Sequence, residues 1–275
     1  MDKSNVFADL ADDCAEFDRL LATLDADDWA RPTPAPDWEI RHQIAHLSAV
    51  FRMAAVAASE PEAFRALAAR LGDDFDANVA VALSRYLDGG TAALRGRWRE
   101  EWTTAVEELA GVPADQVVPW LVRPLPASVL AAAGMMELFA HGQDVADALG
   151  RTPERTDRIW HVVDFAVRTW DFGYLSRGLT PPREGLRYEL TAPSGEVWAH
   201  GAQDAELIEG PAVDFCLLVT RRRHRDDLGL RATGADADHW LDIAQAYRGP
   251  AGPGRRPGQF AAGATEAPGD AGRRR

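Results

Sequence analysis

The first part of the chain repeats apolar residues with the spacing of an α-helix. Between residues 4 and 27, apolar side chains recur three and four positions apart, which predicts an amphipathic helix. The same spacing predicts further helices over residues 38–58, 61–72, 74–110 and 127–149. The Gly89-Gly90 pair predicts a break inside the third of these, because two adjacent glycines weaken a helix.

Prolines, glycines and short polar residues mark where these helices should begin and end. The stretch RPTPAP, residues 31–36, cannot continue a helix, and Asp37 is placed to be the N-cap of the helix that follows. Gly150 is the expected C′ residue at the end of the last helix. Thr152 then predicts, as N-cap, another helix that runs to about residue 176.

After residue 182 the chain takes on the character of β-strands. The runs LRYELTAP and GEVWAHG are separated by Ser194-Gly195, a turn typical of β-hairpins. AELIEG predicts a third strand, and two helices follow, in GPAVDFCLLVTRRRH and ADHWLDIAQAYRG. The sequence therefore predicts an α+β protein in three parts: a helical domain at 1–150, a linking helix with a smaller α+β domain at 151–248, and a disordered Gly/Pro/Arg-rich tail at 249–275.

Composition and charge exclude several classes of function. The 275 residues are 46% hydrophobic and 27% charged, which is typical of a globular protein. The net charge of −13 argues against general affinity for nucleic acids and anionic membranes, since both require basic surfaces. No run approaches the length of a membrane span, and the acidic N-terminal segment lacks an apolar signal core. Cys14 and Cys216 lie far apart in apolar surroundings, which predicts buried thiols in a reducing compartment, so we expect a cytoplasmic protein.

Two histidines lie four residues apart in the second predicted helix. His42 and His46 share one side of this helix with further apolar residues. The opposite side carries an apolar stripe, formed by Ile40, Ile44, Leu47 and Phe51. A helix that is apolar nearly all round is buried, so both imidazoles should need partners in an interior.

The last helix of the first domain carries Glu137, His141 and Asp144 along one face. A carboxylate among apolar neighbours is costly unless it is paired or bound to a cation. We therefore expect one divalent metal between the two helices, most simply Zn²⁺ but also Ni²⁺ or Fe²⁺, on His46, Glu137 and His141. Asp144 would orient an imidazole, and His42 would be an extra ligand or a proton-transfer group. The alternative is a local ion pair between Glu137 and His141.

Three consecutive arginines, Arg221, Arg222 and Arg223, follow the apolar part of the penultimate helix. Guanidinium groups bind carboxylates through paired hydrogen bonds, so these residues are candidates for gripping a substrate carboxylate between the domains. The alternative for this run is a solvated helix end.

The motif W-x-x-x-x-x-I-A-H-L, from Trp38 to Leu47, resembles the DinB-like metal-binding bundles of the mycothiol-dependent maleylpyruvate isomerase type. The runs MELFAHGQDVADALG and GPAVDFCLLVTRRRH resemble the same group, in particular an actinobacterial subgroup of metal-binding proteins, and the resemblance covers about residues 5–248. It implies a four-helix bundle followed by a smaller, sterol-carrier-like α+β domain. It also implies a divalent metal on His46, Glu137 and His141.

The resemblance further implies an enzyme whose metal activates a low-molecular-weight thiol, mycothiol, for transfer to a small electrophilic substrate or for its isomerisation. One alternative is a metal-dependent hydrolase, lyase or natural-product tailoring enzyme that uses metal-bound water, with His42 as the general base. Another is a non-catalytic small-molecule-binding or resistance protein. The expected partners are a small-molecule substrate and mycothiol, and the chain is expected to be a monomer or a homodimer.

Overall fold

The computed structural model describes residues 5–72, 74–121, 123–247 and 249–260. The described α-helices are α1 (Val6–Leu21), α2 (Ala26–Trp29), α3 (Ile40–Ser59), α4 (Pro61–Ala68), α5 (Phe75–Leu87), α6 (Gly90–Ala110), α7 (Ala127–Ala148), α8 (Trp160–Arg168), α9 (Phe172–Leu175), α10 (Ala212–Val219) and α11 (Ala235–Ile243). The described strands are β1 (Val117–Val118), β2 (Leu125–Pro126), β3 (Arg187–Thr191), β4 (Val197–His200), β5 (Leu207–Pro211) and β6 (Arg231–Thr233). A helical domain followed by a small sheet with helices confirms the predicted α+β class. None of the described helices combines the length and apolar character that a membrane crossing requires.

Four long helices, α1, α3, α6 and α7, form the bundle of the N-terminal domain. Both α3 and α1 pack against α6 and α7, so each apolar stripe faces two neighbouring helices. At the centre, Trp98 is fully buried and meets Phe17 and Phe51 edge-on, with ring centroids 5.7 and 5.3 Å away. Burying a large apolar side chain in this way contributes about 1.5–3 kcal/mol to folding. The stripe predicted on α3 is buried, and the side that carries His46 faces α7.

The connector before α3 differs from the prediction. Asp37 is not the N-cap: its backbone is left-handed, with φ at 63°, and Glu39 is the capping residue. The reason is that the connector closes on itself, because the Thr33 backbone N–H donates to the Trp38 carbonyl oxygen at 2.7 Å. The Thr33 hydroxyl donates to the same oxygen at 2.8 Å. The closed connector holds Trp38 beside the first turn of α3.

Glycines end and begin helices where the sequence predicted. The break at Gly89-Gly90 is confirmed: α5 ends before the pair, and both residues have positive φ, at 95° and 78°. Gly150 follows the end of α7 with φ at 63°, the left-handed conformation expected of a C′ glycine.

The continuous helix predicted from Thr152 to about residue 176 is wrong. Thr156, and not Thr152, caps a short 3₁₀ turn that leads into α8. The chain leaves the helical path after α8 because the Trp170 carbonyl accepts a hydrogen bond from Trp240 Nε1 at 2.8 Å. That partner belongs to the C-terminal domain, so the break depends on tertiary contact rather than local sequence.

The C-terminal sheet has the strand order β4-β3-β5-β6. The predicted hairpin joins β3 to β4 in antiparallel pairing, and Gly195 in its turn has φ at 90°. β5 runs parallel to β3 in the sheet, and β6, which was not predicted, pairs antiparallel with β5. Tyr188 packs edge-on against Phe215 and Trp240, so that aromatic rings join the sheet to α10 and α11.

The tail predicted to be disordered at 249–275 is ordered in its first part. Within residues 249–260, Arg255 forms an ion pair with Asp144 of α7 at 2.6 Å, and Phe260 lies under the guanidinium of Arg223 at 3.8 Å. The prediction failed because buried charges on other elements hold a segment whose composition alone is too polar to fold. Residues 261–275 lie outside the described part of the chain.

Both cysteines are buried and free, as predicted. Cys14 lies in α1 and Cys216 in α10. Burial raises the pKa of both thiols above the ordinary cysteine value, so each thiol stays protonated near neutral pH.

Candidate metal centre

Three side chains from α3 and α7 converge in the bundle. His46 comes from α3, while Glu137 and His141 lie one turn apart on α7. One donor atom of each residue lies within 4.8 Å of the others. Glu137 Oε2 is 3.6 Å from His46 Nε2 and 3.3 Å from His141 Nε2, and the two imidazole rings are 4.4 Å apart. The structure thus brings together the three residues that the sequence predicted as ligands.

The spacing of these donors fits a shared cation. The two nitrogen–oxygen distances exceed the range of about 2.7–3.2 Å that a direct N–H···O hydrogen bond prefers. Donors about 2.1 Å from a tetrahedral ion would instead lie about 3.4 Å from one another. The side chains of His46 and Glu137 are 19% and 24% exposed, so the cluster is partly accessible to solvent. Two imidazoles, one carboxylate and an open position match the donor set of catalytic zinc sites.

The protonation states also suit metal binding. Burial and the adjacent His46 ring lower the pKa of His141 to about 4. Burial by itself would raise the pKa of the Glu137 carboxyl, but the two imidazoles hold it below its usual range. Near neutral pH, His141 is therefore neutral and Glu137 ionised, which are the states required of metal ligands.

Gln43, which was not predicted, sets the orientation of His141. Its side chain is fully buried on α3, and its Oε1 lies 2.5 Å from His141 Nδ1. Because an amide oxygen can only accept, the imidazole carries its hydrogen on Nδ1 and presents the Nε2 lone pair toward Glu137. The Gln43 amide nitrogen in turn donates to the Thr33 hydroxyl at 2.8 Å. No local pattern marks this glutamine, because its partner lies 98 positions along the chain.

Trp38 forms an aromatic wall against the cluster. Its ring centroid is 5.4 Å from that of His46 and 6.0 Å from that of His141, with the second pair stacked at 25°. The closed connector before α3 holds this indole in place. Trp38 therefore restricts the positions of both imidazoles and excludes water from their faces.

His42 is the third residue of α3, where its side chain accepts from the backbone of the N-cap residue Glu39, and it is not part of the three-residue cluster. Its Nδ1 accepts a hydrogen bond from the Glu39 backbone N–H at 3.0 Å. Burial and the neighbouring Arg41 charge lower the pKa of His42, so the ring is neutral at pH 7. With Nδ1 accepting, the hydrogen lies on Nε2, so the free edge of the ring donates, which does not suit a general base. The catalytic role expected of His42 stays a prediction. In such a role, His42 would act through Nε2 as a proton donor.

Asp144 does not orient an imidazole as expected. It is fully buried on α7, and its two carboxylate oxygens face two guanidinium groups. Arg222 lies 2.9 Å from one oxygen, and Arg255 lies 2.6 Å from the other. The sequence prediction failed because both arginines arrive from the C-terminal part of the chain, while Gln43 takes the position beside the imidazole.

The three consecutive arginines are all engaged with the protein. Arg223 pairs with Asp147 at 2.7 Å, Arg221 donates to the Gly252 carbonyl at 3.2 Å, and Arg222 donates to the Ala140 carbonyl at 3.0 Å. The charge of Arg222 contributes to the lowered pKa of His141. Binding of a substrate carboxylate by these residues stays a prediction.

The sequence matches one known family and two known relatives. The family described as "Mycothiol maleylpyruvate isomerase N-terminal domain" matches residues 10–146, which contain the bundle and the cluster. Two relatives from Mycobacterium tuberculosis, uncharacterized protein MT0041 of strain CDC 1551 and uncharacterized protein Rv0036c of strain H37Rv, are each 41% identical over 249 residues. Each alignment covers 90% of this chain and 97% of the relative.

Two solved structures share the fold. The crystal structure of the mycothiol-dependent maleylpyruvate isomerase superposes with a TM-score of 0.52 at 17% identity, covering 84% of this chain and 93% of that one. A histidine-to-alanine mutant of that isomerase gives a TM-score of 0.51 at 15% identity, covering 79% and 88% of the two chains. The likeness extends beyond the bundle, so the two-part architecture as a whole is shared.

Proposed function

Because the chain belongs to the mycothiol maleylpyruvate isomerase N-terminal domain family, we propose that it is a metal-dependent enzyme that uses a low-molecular-weight thiol. The thiol is mycothiol, and the reaction is its transfer to a small electrophilic organic molecule or the isomerisation of that molecule. The proposal rests on the cluster of His46, Glu137 and His141, whose donor atoms lie within 4.8 Å of one another in this family's bundle.

The residues at the site have separate roles: metal binding, orientation of a ligand and exclusion of water. His46, Glu137 and His141 would hold a divalent ion, most simply Zn²⁺. A bound ion of this kind supplies a Lewis acid that favours the ionised form of a thiol near neutral pH. Gln43 keeps the Nε2 atom of His141 turned toward the donor cluster, and Trp38 excludes water from one side of it.

The reacting thiol has to come from outside the protein. Cys14 and Cys216 are both fully buried, and burial raises the pKa of both. Neither sulfur is accessible to a substrate, and neither is ionised at neutral pH. A thiol cosubstrate that reaches the partly accessible cluster avoids both obstacles.

Metal content tests the site. Purified protein should carry about one divalent ion per chain by elemental analysis. His46→Ala and His141→Ala should each lose it, because two donors do not hold Zn²⁺ tightly. His239→Ala is the matched control, since His239 is exposed on α11 and lies outside the cluster. Unchanged metal content in both cluster variants would rule out this site.

Thiol dependence tests the reaction. Metal-loaded protein is incubated with mycothiol and a panel of unsaturated acids, epoxides and quinone-like compounds, and the products are followed by mass spectrometry. We expect a thiol adduct or a thiol-dependent rearrangement that the His141→Ala variant does not produce. If no member of the panel reacts in a thiol-dependent way, the hydrolase and carrier alternatives replace this proposal.

A further inference from the structure

The buried carboxylate of Asp144 forms ion pairs with two guanidinium groups. Arg222 reaches it from the residues that follow α10, and Arg255 reaches it from the segment at 249–260. The side chains of Arg222 and Arg255 are only 12% and 10% exposed, and that of Asp144 is 1% exposed. Arg255 donates a charge-assisted hydrogen bond to Asp144, which is directional, whereas Arg222 contributes an ion pair without hydrogen-bond geometry. Together they tie the elements that carry them to α7.

The segment at 249–260 is attached at several further points. The Gly252 carbonyl accepts a hydrogen bond from Arg221 at 3.2 Å. The Gly258 backbone N–H donates to Asp227 at 2.8 Å. The ring of Phe260 covers the Arg223 guanidinium at 3.8 Å. These contacts lie on the residues that follow α10, so the segment joins them to α7.

The ion pairs at Asp144 lie next to a candidate metal ligand. Asp144 is three residues after His141, which places it about one helical turn along α7. Arg222 also donates to the Ala140 carbonyl at 3.0 Å, so it contacts α7 on both sides of His141 in sequence. Arg255 opposes Arg222 across the Asp144 carboxylate, and together the two guanidiniums fix its orientation.

We propose that residues 249–260 form a strap that completes the metal site, with Arg255 as a positioning residue that acts on His141 through Asp144 and Arg222. The inference rests on the proposed function only in taking His141 as a ligand. Without Arg255, the carboxylate turns toward Arg222 alone and draws its guanidinium away from the Ala140 carbonyl. The turn of α7 that carries His141 then loses a contact that sets its position.

Two adjacent arginines allow a matched test. Arg255 is buried on Asp144, while the side chain of Arg256 is exposed. We expect Arg255→Gln to weaken Zn²⁺ binding about tenfold, as loss of an outer partner of a metal ligand typically does. It should also alter the visible spectrum of the Co²⁺-loaded protein. Arg256→Gln should match the wild type in both measurements, and Arg255→Lys should recover part of the affinity because it keeps the charge.

Affinity is measured by competition with a chromophoric chelator on the full chain. Wild-type affinity and spectrum in Arg255→Gln would overturn the proposal, and so would equal losses in Arg255→Gln and Arg256→Gln. If Arg255→Gln does not fold, the Zn²⁺ affinity of Arg255→Lys is measured instead. A smaller loss in the same direction supports the proposal, and wild-type affinity overturns it.

Amide hydrogen exchange separates this inference from the proposed function. If the wild type binds neither Zn²⁺ nor Co²⁺, the proposed function fails, and the positioning role of Arg255 fails with it. The strap is then judged by exchange alone. Faster exchange at residues 250–260 and 221–223 in Arg255→Gln, but not in Arg256→Gln, supports it. Equal exchange in the two variants overturns it.

Discussion

Replacing Gln43 by methionine removes the acceptor for the His141 Nδ1–H while keeping a side chain of similar length and shape. In the native protein this acceptor lies 2.5 Å from the imidazole nitrogen, and Gln43 is fully buried. In the variant the imidazole can carry its hydrogen on Nε2, the atom that faces Glu137. Metal binding must then first remove that hydrogen, so affinity should fall.

The expected magnitude follows from the burial of the lost hydrogen bond. Leaving a buried donor without a partner costs about 1–3 kcal/mol. Outer partners of ligating histidines typically account for about 10–100-fold in metal affinity, which corresponds to about 1.4–2.8 kcal/mol. The two ranges agree, so we expect Gln43→Met to raise the Zn²⁺ dissociation constant by about 10–100-fold. The Thr33 hydroxyl retains its bond to the Trp38 carbonyl, so the connector before α3 should stay closed.

The assay is competition for Zn²⁺ against a chromophoric chelator at fixed pH. Gln143→Met is the matched control, because Gln143 is also a buried glutamine but bonds Asp147 and Arg155 instead of a histidine. Its loss should lower the free energy of unfolding while leaving the Zn²⁺ dissociation constant within about twofold of the wild type. The reasoning is refuted if Gln43→Met binds Zn²⁺ as tightly as the wild type, or if both variants lose the same affinity.

Three further outcomes are expected. Iodoacetamide at pH 8 should leave Cys14 and Cys216 unmodified in the folded protein, because both thiols are buried and burial raises their pKa. Both cysteines should be labelled in guanidinium chloride. Labelling of the folded chain, read by mass spectrometry, would contradict this. Zn²⁺ at a hundredfold excess over its dissociation constant should raise the free energy of unfolding, measured by calorimetry, by about 2.7 kcal/mol. EDTA should reverse this gain. An equal gain in His141→Ala would disprove binding at the cluster. Gly173→Ala should lower the melting temperature strongly, because an added Cβ would lie 2.2 Å from the Ile243 carbonyl oxygen, whereas Gly185→Ala, which meets no atom within 4 Å, should change it little.

Local sequence patterns predicted the helical bundle and its candidate ligands. Apolar spacing of three and four residues is a property of single helices, so α1, α3, α6 and α7 could be located before their partners were known. The four-residue interval between Glu137 and His141 likewise places both on one face of one helix. His46 required more than spacing, because it lies on another helix. Its motif and its apolar surroundings together selected it.

Residues whose roles depend on distant partners were missed or given the wrong role. Gln43 has no distinctive neighbours, and only the packing of α3 on α7 brings it to His141. Asp144 looked like a partner for an imidazole because both lie on the same helix face. The structure gives it Arg222 and Arg255 instead, which come from parts of the chain that no helical pattern connects to α7.

Spacing along single elements was enough to indicate which segments are helical, which residue types could hold a metal and which family the chain resembles. Packing between elements sets which way each imidazole faces, what covers the cluster and where the C-terminal segment lies. Those features arise from contacts between elements far apart in the chain. The hydrogen bonds and ion pairs among them form where buried polar groups, such as Gln43 and Asp144, must find partners away from water.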